Sequence, residues 1–243
     1  MTREDLLEDA RDWTGDSRAV AQLLADRYSC RAFRPDPVPD AIISSLLSVA
    51  QLSASWCNLQ PWSVIVTKGE ATERFRSELF AHAQDLAAGA VRPVPTPDIP
   101  FPVEYVGKYK ARQRECGGQL YESVGIAFGD RQASSRQALE NFRLFGAPHV
   151  MIVTSPKSLS CYGAVDCGIY VANVMLLAQS HGIATVAQAA LASRADFVRR
   201  HFAIADDQNI VCGISFGYAD EEHPANAFRT NREAIAAVAD IRA

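Results

Sequence analysis

Lysine is nearly missing from this chain: it stands only at positions 68, 108, 110 and 157, and the rest of the 24 basic residues are arginine. The basic residues do not add up to a cationic surface either. Net charge is −4 and the isoelectric point about 5.7, which speaks against nucleic acid or an anionic membrane as a partner. Paired cysteines are also absent. The six, at 30, 57, 116, 161, 167 and 212, form no C-x-x-C and no disulfide framework, so they read as reduced thiols and give a cytoplasmic expectation. Met1 to Gly15 has no basic start and no apolar stretch, so no signal peptide is expected. The most apolar helix, near Ile169 to Ala178, is interrupted by Asn173 and is expected to fall well short of the roughly 20 residues a bilayer requires. The five histidines, at 82, 149, 181, 201 and 223, build no H-E-x-x-H, so no metal is expected. No G-x-G-x-x-G follows a strand, so a nicotinamide donor would have to visit a site rather than own a domain.

What is present fits an ordinary folded chain. With 48% hydrophobic and 21% charged residues over 243 positions, it can bury about 70% or more of its unfolded surface, and residues 1–243 read as one domain. Val20, Leu23, Leu24 and Tyr28 share a helical face behind an N-cap at Asp16 or Ser17. Pro39 fits the first turn of a helix carrying Ile42, Ile43, Leu46, Leu47 and Ala50. Strands are expected at 62–67, 148–155, 183–188 and 209–218. Helices are expected at 71–88, 106–124, 131–144, 164–181 and 194–202. Without regular βαβ alternation, the fold class is α+β.

Residues 91–105 hold five prolines and almost no periodicity. A long irregular stretch inside a compact domain is usually functional or disordered. With Phe101, Tyr105 and Tyr109 on its flanks, 90–105 reads either as a lid or as a solvent-exposed excursion, inside a longer insertion at 82–118.

Two clusters carry chemistry. Arg27-Tyr28-Ser29-Cys30-Arg31 places two guanidiniums and a hydroxyl at a helix end. Taken alone this could be a cationic end meeting the helix dipole, but guanidinium forks also suit phosphate and the edge of a planar heterocycle. Ser53-Ala54-Ser55-Trp56-Cys57-Asn58-Leu59-Gln60-Pro61-Trp62 supplies paired donors and acceptors for a heteroaromatic ring. Together with a second arginine pair, Arg229 and Arg232, they read as a site for flavin mononucleotide (FMN).

In these motifs the chain resembles the FMN-dependent nitroreductase family, whose members usually carry R-x-S-x-R and then P-S-x-x-N-x-Q-P-W. Ala54 stands where the family has proline. The likeness continues through Asn141-Phe142-Arg143, Tyr162 to Asp166, Val186 to Ala189, Gly217 to Asp220 and Asn226 to Arg232. The layout looks closest to bacterial nitrobenzoate-type nitroreductases. The resemblance implies a small mixed sheet flanked by helices, an intertwined homodimer, and a C-terminal arm at 222–243. It implies FMN as cofactor and NAD(P)H as co-substrate, with nitroaromatic or quinone-like acceptors reduced by ping-pong hydride transfer. No side chain need act as acid or base.

Residue by residue, the resemblance gives Arg27, Ser29, Arg229 and Arg232 the phosphate and ribityl groups, and Tyr28 a backbone contact. Arg31 would face the pyrimidine edge, where a fixed cation stabilises the reduced anion. Asn141 and Arg143 would assist there, although Asn141 also reads as a polar residue on a helix surface. Ala54, Ser55, Trp56 and Asn58 would reach the flavin of the other subunit. Gln188 and Ala189 would approach its N5 through the backbone. Trp62, Asp166 and Asn173 read as structural. Other chemistry on the same fold (dehalogenation, enone reduction, flavin breakdown) and flavin sensing without turnover stay open. Gly213-Ile214-Ser215-Phe216-Gly217 matches the G-x-S-x-G of hydrolases, but it sits in an expected strand with no helix after it.

Overall fold

The computed structural model describes residues 2–8, 10–88 and 94–242. Four strands, β1 (Ser63–Thr67), β2 (His149–Pro156), β3 (Ala184–Gln188) and β4 (Gln208–Gly217), form one sheet in the order β1-β2-β4-β3. Every strand pairing is antiparallel. The parallel contribution to the expected mixed sheet is a single bridge, Ser29 to Thr185. The arginine segment touches the edge of β3 there and leaves again before it can become a strand.

β2 is central, and all of His149–Ser155 is buried. Its alternation builds two cores, as a pleated strand must. Val150 and Ile152 join Phe75, Leu79, Leu144, Leu191 and Ile210 on one side. Met151 and Val153 join Leu46, Trp62, Tyr170, Val174, Ile214 and Phe216 on the other.

Helices cover both faces. α1 (Arg3–Glu8) and α2 (Gly15–Asp26) lead to α3 (Asp40–Ala50), whose Ile43, Leu46 and Ala50 are buried. In α4 (Glu70–Ala88) Phe75, Leu79 and Ala83 recur every four residues and are buried on the first core. α5 (Gly107–Ser123), α6 (Arg131–Leu139), α7 (Ser160–Ser180), the short α8 (Ala189–Ala192) and α9 (Ala195–Phe202) complete the set.

Four expectations change. The N-cap expected at Asp16 or Ser17 is Thr14, and α2 starts at Gly15. The helix expected over 131–144 stops at Leu139 and tightens into a 3-10 turn, Glu140–Gly146, in which Leu144 and Phe145 take positive φ of 57° and 52°. That reversal buries Leu144, Phe145 and Ala147 and aims the chain into β2. The apolar helix expected to be short is α7, 21 residues long, and by length and composition it could cross a membrane. Its Cys167, Tyr170, Val174 and Ala178 instead pack in the second core with the sheet and α3. Lastly, among the described residues the C-terminal arm expected at 222–243 holds two 3-10 turns, Pro224–Asn226 and Ile235–Ala237, and no α-helix.

Candidate functional site

The arginine loop begins where α2 ends. Arg27 turns to φ −62°, ψ 128°, and its N–H closes the helix onto the Leu23 carbonyl. The chain then runs extended across three neighbours. Cys30 N–H donates to Thr185 O at 3.0 Å, Phe33 N–H to Phe145 O at 3.1 Å, and Arg34 N–H to Tyr218 O at 2.9 Å. The Cys30 side chain is fully buried, with its thiol pushed up to about 11 by burial, so it is packing rather than a nucleophile.

Asn226 completes the frame. Its Oδ1 accepts from Arg31 N–H at 2.7 Å, and its Nδ2 donates to Ala32 O at 2.9 Å and Asp220 O at 2.8 Å. Only 4% of this residue is exposed, so one amide side chain ties the N-terminal motif to the C-terminal one. Sequence reasoning missed this role, because a contact made across 195 positions leaves no local pattern.

These constraints gather six of the expected residues around one cavity of about 140 Å³, lined by Arg27, Tyr28, Ser29, Arg31, Arg229 and Arg232 with Cys116, Phe228 and Thr230. The Arg229 guanidinium stacks 3.7 Å from the centre of the Tyr28 ring and donates to Asn226 O and Phe228 O. Arg31 lies over Phe228 at 5.5 Å and donates to Ser29 O. Among the described residues neither Arg31 nor Arg229 has a carboxylate within 4.0 Å. Burial pulls both Arg27 and Arg31 below the usual guanidinium range, and Arg232 adds repulsion at Arg27. Arginine stays charged even so. Four cations on one small cavity form a donor set that fits a phosphate dianion.

The remaining expected residues lie outside this cavity. Gln188 turns its side chain inward, donating to Asn141 O at 2.9 Å and accepting from the Ser215 hydroxyl at 2.5 Å. Ala189, exposed, opens α8, where helical amides have no intrahelical acceptor. Arg143 stacks on Phe80 at 4.1 Å and faces Glu140. Ala54, Ser55, Trp56 and Asn58 form a separate loop on the surface, with Trp56 58% exposed and its ring 4.8 Å from Tyr162. Asp166, buried, accepts from Trp56 N–H with both oxygens at 3.2 Å, and Asn173 donates to Ser53 Oγ at 2.8 Å. Trp62 stacks on Tyr170 within the core.

The hydrolase-like motif resolves into packing. Ser215 is fully buried inside β4, and a Cβ on Gly213 would stand 2.2 Å from Leu191 Cδ1. The proline-rich stretch is anchored by Thr96 N–H on Ser193 O at 3.0 Å and by the Asp98 carboxylate, which takes Arg199 Nη2 at 2.6 Å and Ile210 N–H at 2.7 Å. Beyond it Phe101, Val103, Tyr105 and Tyr109 are exposed, while 90–93 of the expected lid lie outside the described residues.

The sequence profile of the nitroreductase family matches residues 24–218. The chain belongs to that family. Nitroreductase NfnB of Mycolicibacterium smegmatis is 34% identical over 221 residues, 90% of this chain and 91% of its own. A 4-nitrobenzoate reductase of Pseudomonas putida is 33% identical over 211 residues, covering 87% and 90% of the two chains. Among solved structures, the FMN-dependent nitroreductase NfnB of Mycobacterium smegmatis in complex with NADPH superposes with a TM-score of 0.85 at 32% identity, over 94% of this chain and all of that one. As a nitroreductase, the chain carries Arg229 and Arg232 beyond the matched segment, yet the fold returns them to Arg27 and Arg31.

Proposed function

We propose that this nitroreductase is an FMN-dependent enzyme that takes hydride from NAD(P)H and reduces nitroaromatic or quinone-like acceptors. The observation that carries the reading is the convergence of Arg27, Arg31, Arg229 and Arg232 with Ser29 on one cavity. Those residues would hold the phosphate and ribityl groups of FMN. When bound, FMN supplies the two-electron hydride chemistry. Arg31, kept in place by Asn226 and Ser29 O, is a fixed cation for the pyrimidine edge and favours the reduced cofactor. Asn141 assists on that edge. Gln188 and Ala189 present backbone to the reactive face, and the buried Gln188 side chain keeps that backbone rigid. Arg143, engaged with Phe80, serves the same edge only indirectly.

The protein works as a homodimer. α7 packs against both α2 and α3, and on and beside these helices Val20, Leu24, Val49, Leu52, Val165 and Ile169 stay exposed. A second copy would cover this apolar face and bring the Ala54–Asn58 loop to the partner's flavin. Residues 1–243 act as one domain, with 82–118 as an insertion whose described lid residues, 94–105, face substrate and 222–243 as an arm. Six free thiols support a cytoplasmic setting. One open face serving donor and acceptor in turn gives ping-pong kinetics, seen as parallel double-reciprocal lines.

An anaerobic absorption spectrum before and after NADPH tests the reading. A flavin band at about 450 nm that bleaches, and returns with a nitroarene, is the expected result. A colourless protein that takes up no FMN overturns it. A flavin that NADPH leaves oxidised would make this a binding protein rather than an enzyme.

A further inference from the structure

One wall of the arginine cavity belongs to α5, a helix that carries none of the motifs. Arg112, Glu115, Cys116 and Gln119 recur at i, i+3, i+4 and i+7, so they form one stripe along it. That stripe lines a second cavity, of about 210 Å³, whose opposite side is Thr230 to Glu233. Cys116, Thr230 and Arg232 line both cavities, so the α5 stripe adjoins the arginine cavity along a shared wall. α5 also packs on the Pro224–Asn226 turn, the turn that delivers Asn226 to Arg31.

Two polar links tie the stripe to the C-terminal segment. Arg112 donates to Glu233 Oε1 from Nε at 2.9 Å, with Nη2 at 2.6 Å. Asn231 Nδ2 donates to Glu115 Oε1 at 2.8 Å. The hydrogen bond from Arg112 holds the Glu233 carboxyl below the usual carboxylate range. Asn231 and Glu233 are the residues immediately before and after Arg232. The phosphate-facing arginine is therefore fixed from both sides by the same helix, in a stretch of chain without helix or strand of its own.

We infer that α5 is a strap that positions Arg232 on the cofactor phosphate, with Arg112 and Glu115 as positioning residues that never touch the cofactor. This rests on the flavin reading above. The strap controls retention rather than chemistry: releasing it lets residues 230–233 move away from the phosphate and shortens the lifetime of bound FMN. The reduction potential, set by groups around the ring, does not change.

The test measures FMN dissociation from the holoenzyme, followed as flavin fluorescence released into an excess of apo-flavoprotein trap. Arg112→Glu and Glu233→Arg singly should each raise the off-rate about two- to five-fold, the range that exposed ion pairs command. The double charge swap should bring the rate back near the original, with the midpoint potential unchanged throughout. High salt should shrink the difference between single variants and parent. Glu233→Gln, nearly isosteric, gives the same answer if a charge reversal fails to fold. An unchanged off-rate in the single variants and in Glu233→Gln, or a swap that fails to restore it, would overturn the strap while leaving the flavin reading intact. A parent protein that binds no FMN would overturn both.

Discussion

The two motif loops are held by opposite means. The arginine loop takes its shape from neighbours: three backbone hydrogen bonds to Thr185, Phe145 and Tyr218, and the side chain of Asn226. The loop from Ser53 to Trp62 is shaped largely by its own backbone. Cys57, Asn58 and Gln60 have positive φ of 50°, 56° and 47°, the Ser55 hydroxyl accepts from Gln60 N–H, and Asp166 secures Trp56. The first arrangement turns guanidiniums inward onto a cavity of the same chain. The second turns side chains outward, Trp56 and Asn58 among them, toward whatever covers the surface. Where a loop gets its rigidity thus tells which way it is meant to face.

The strongest way to break this contrast is at the inward loop. Arg27→Ala should weaken FMN binding about ten- to a hundred-fold, the worth of a charge-assisted contact, measured by flavin fluorescence titration. A yellow, fully loaded variant would remove Arg27 from the phosphate site.

A smaller effect separates the loops by pH. The chain before α3, which feeds the outward loop, is pinned by His149: its Nε2 accepts from Val38 N–H at 2.9 Å while Nδ1 faces Thr67 O at 3.2 Å. With both nitrogens used this way the ring is neutral. Its pKa is lowered first by burial and further by Lys68, against raising effects of the Thr67 carbonyl and Asp40. The unfolded chain therefore takes the proton first. The stability contributed by the neutral ring is whole above about pH 6.5 and declines as pH falls below it. The urea midpoint should drop over that range in the parent and stay flatter in His149→Gln. Asn226, which does not titrate, gives the arginine loop no such dependence.

The smallest effect sharpens the contrast at the outward loop. Gln60→Gly relieves a left-handed residue and should raise stability by about 0.5 kcal/mol, strain relief less the added freedom of the unfolded chain. Thermal melting checks it, and a loss of stability would show that Gln60 is not strained.

Much of this was legible beforehand. α3, α4 and all four strands follow from period and proline placement, because their burial repeats locally. The arginine cluster was legible through residue chemistry, since guanidinium forks beside a serine announce an anion. What escaped notice depends on distance along the chain. The turn at Leu144 and Phe145 exists because the core pulls those two side chains in, which no helical pattern at 131–139 reveals. Asn226, His149 and Asp98 each bond to backbone far away in sequence. The apolar span of α7 was underestimated because Asn173 breaks it, although that side chain has a specific partner, Ser53, in the loop beside it.

Asn226 also makes the two halves of the cavity depend on one another. Arg27 and Arg31 stand far before Arg229 and Arg232 in the chain, and one amide side chain spans that separation. The anion site is therefore a property of the folded molecule, because no continuous stretch of a few dozen residues holds all four guanidiniums. Unfolding at either motif disperses the whole set at once.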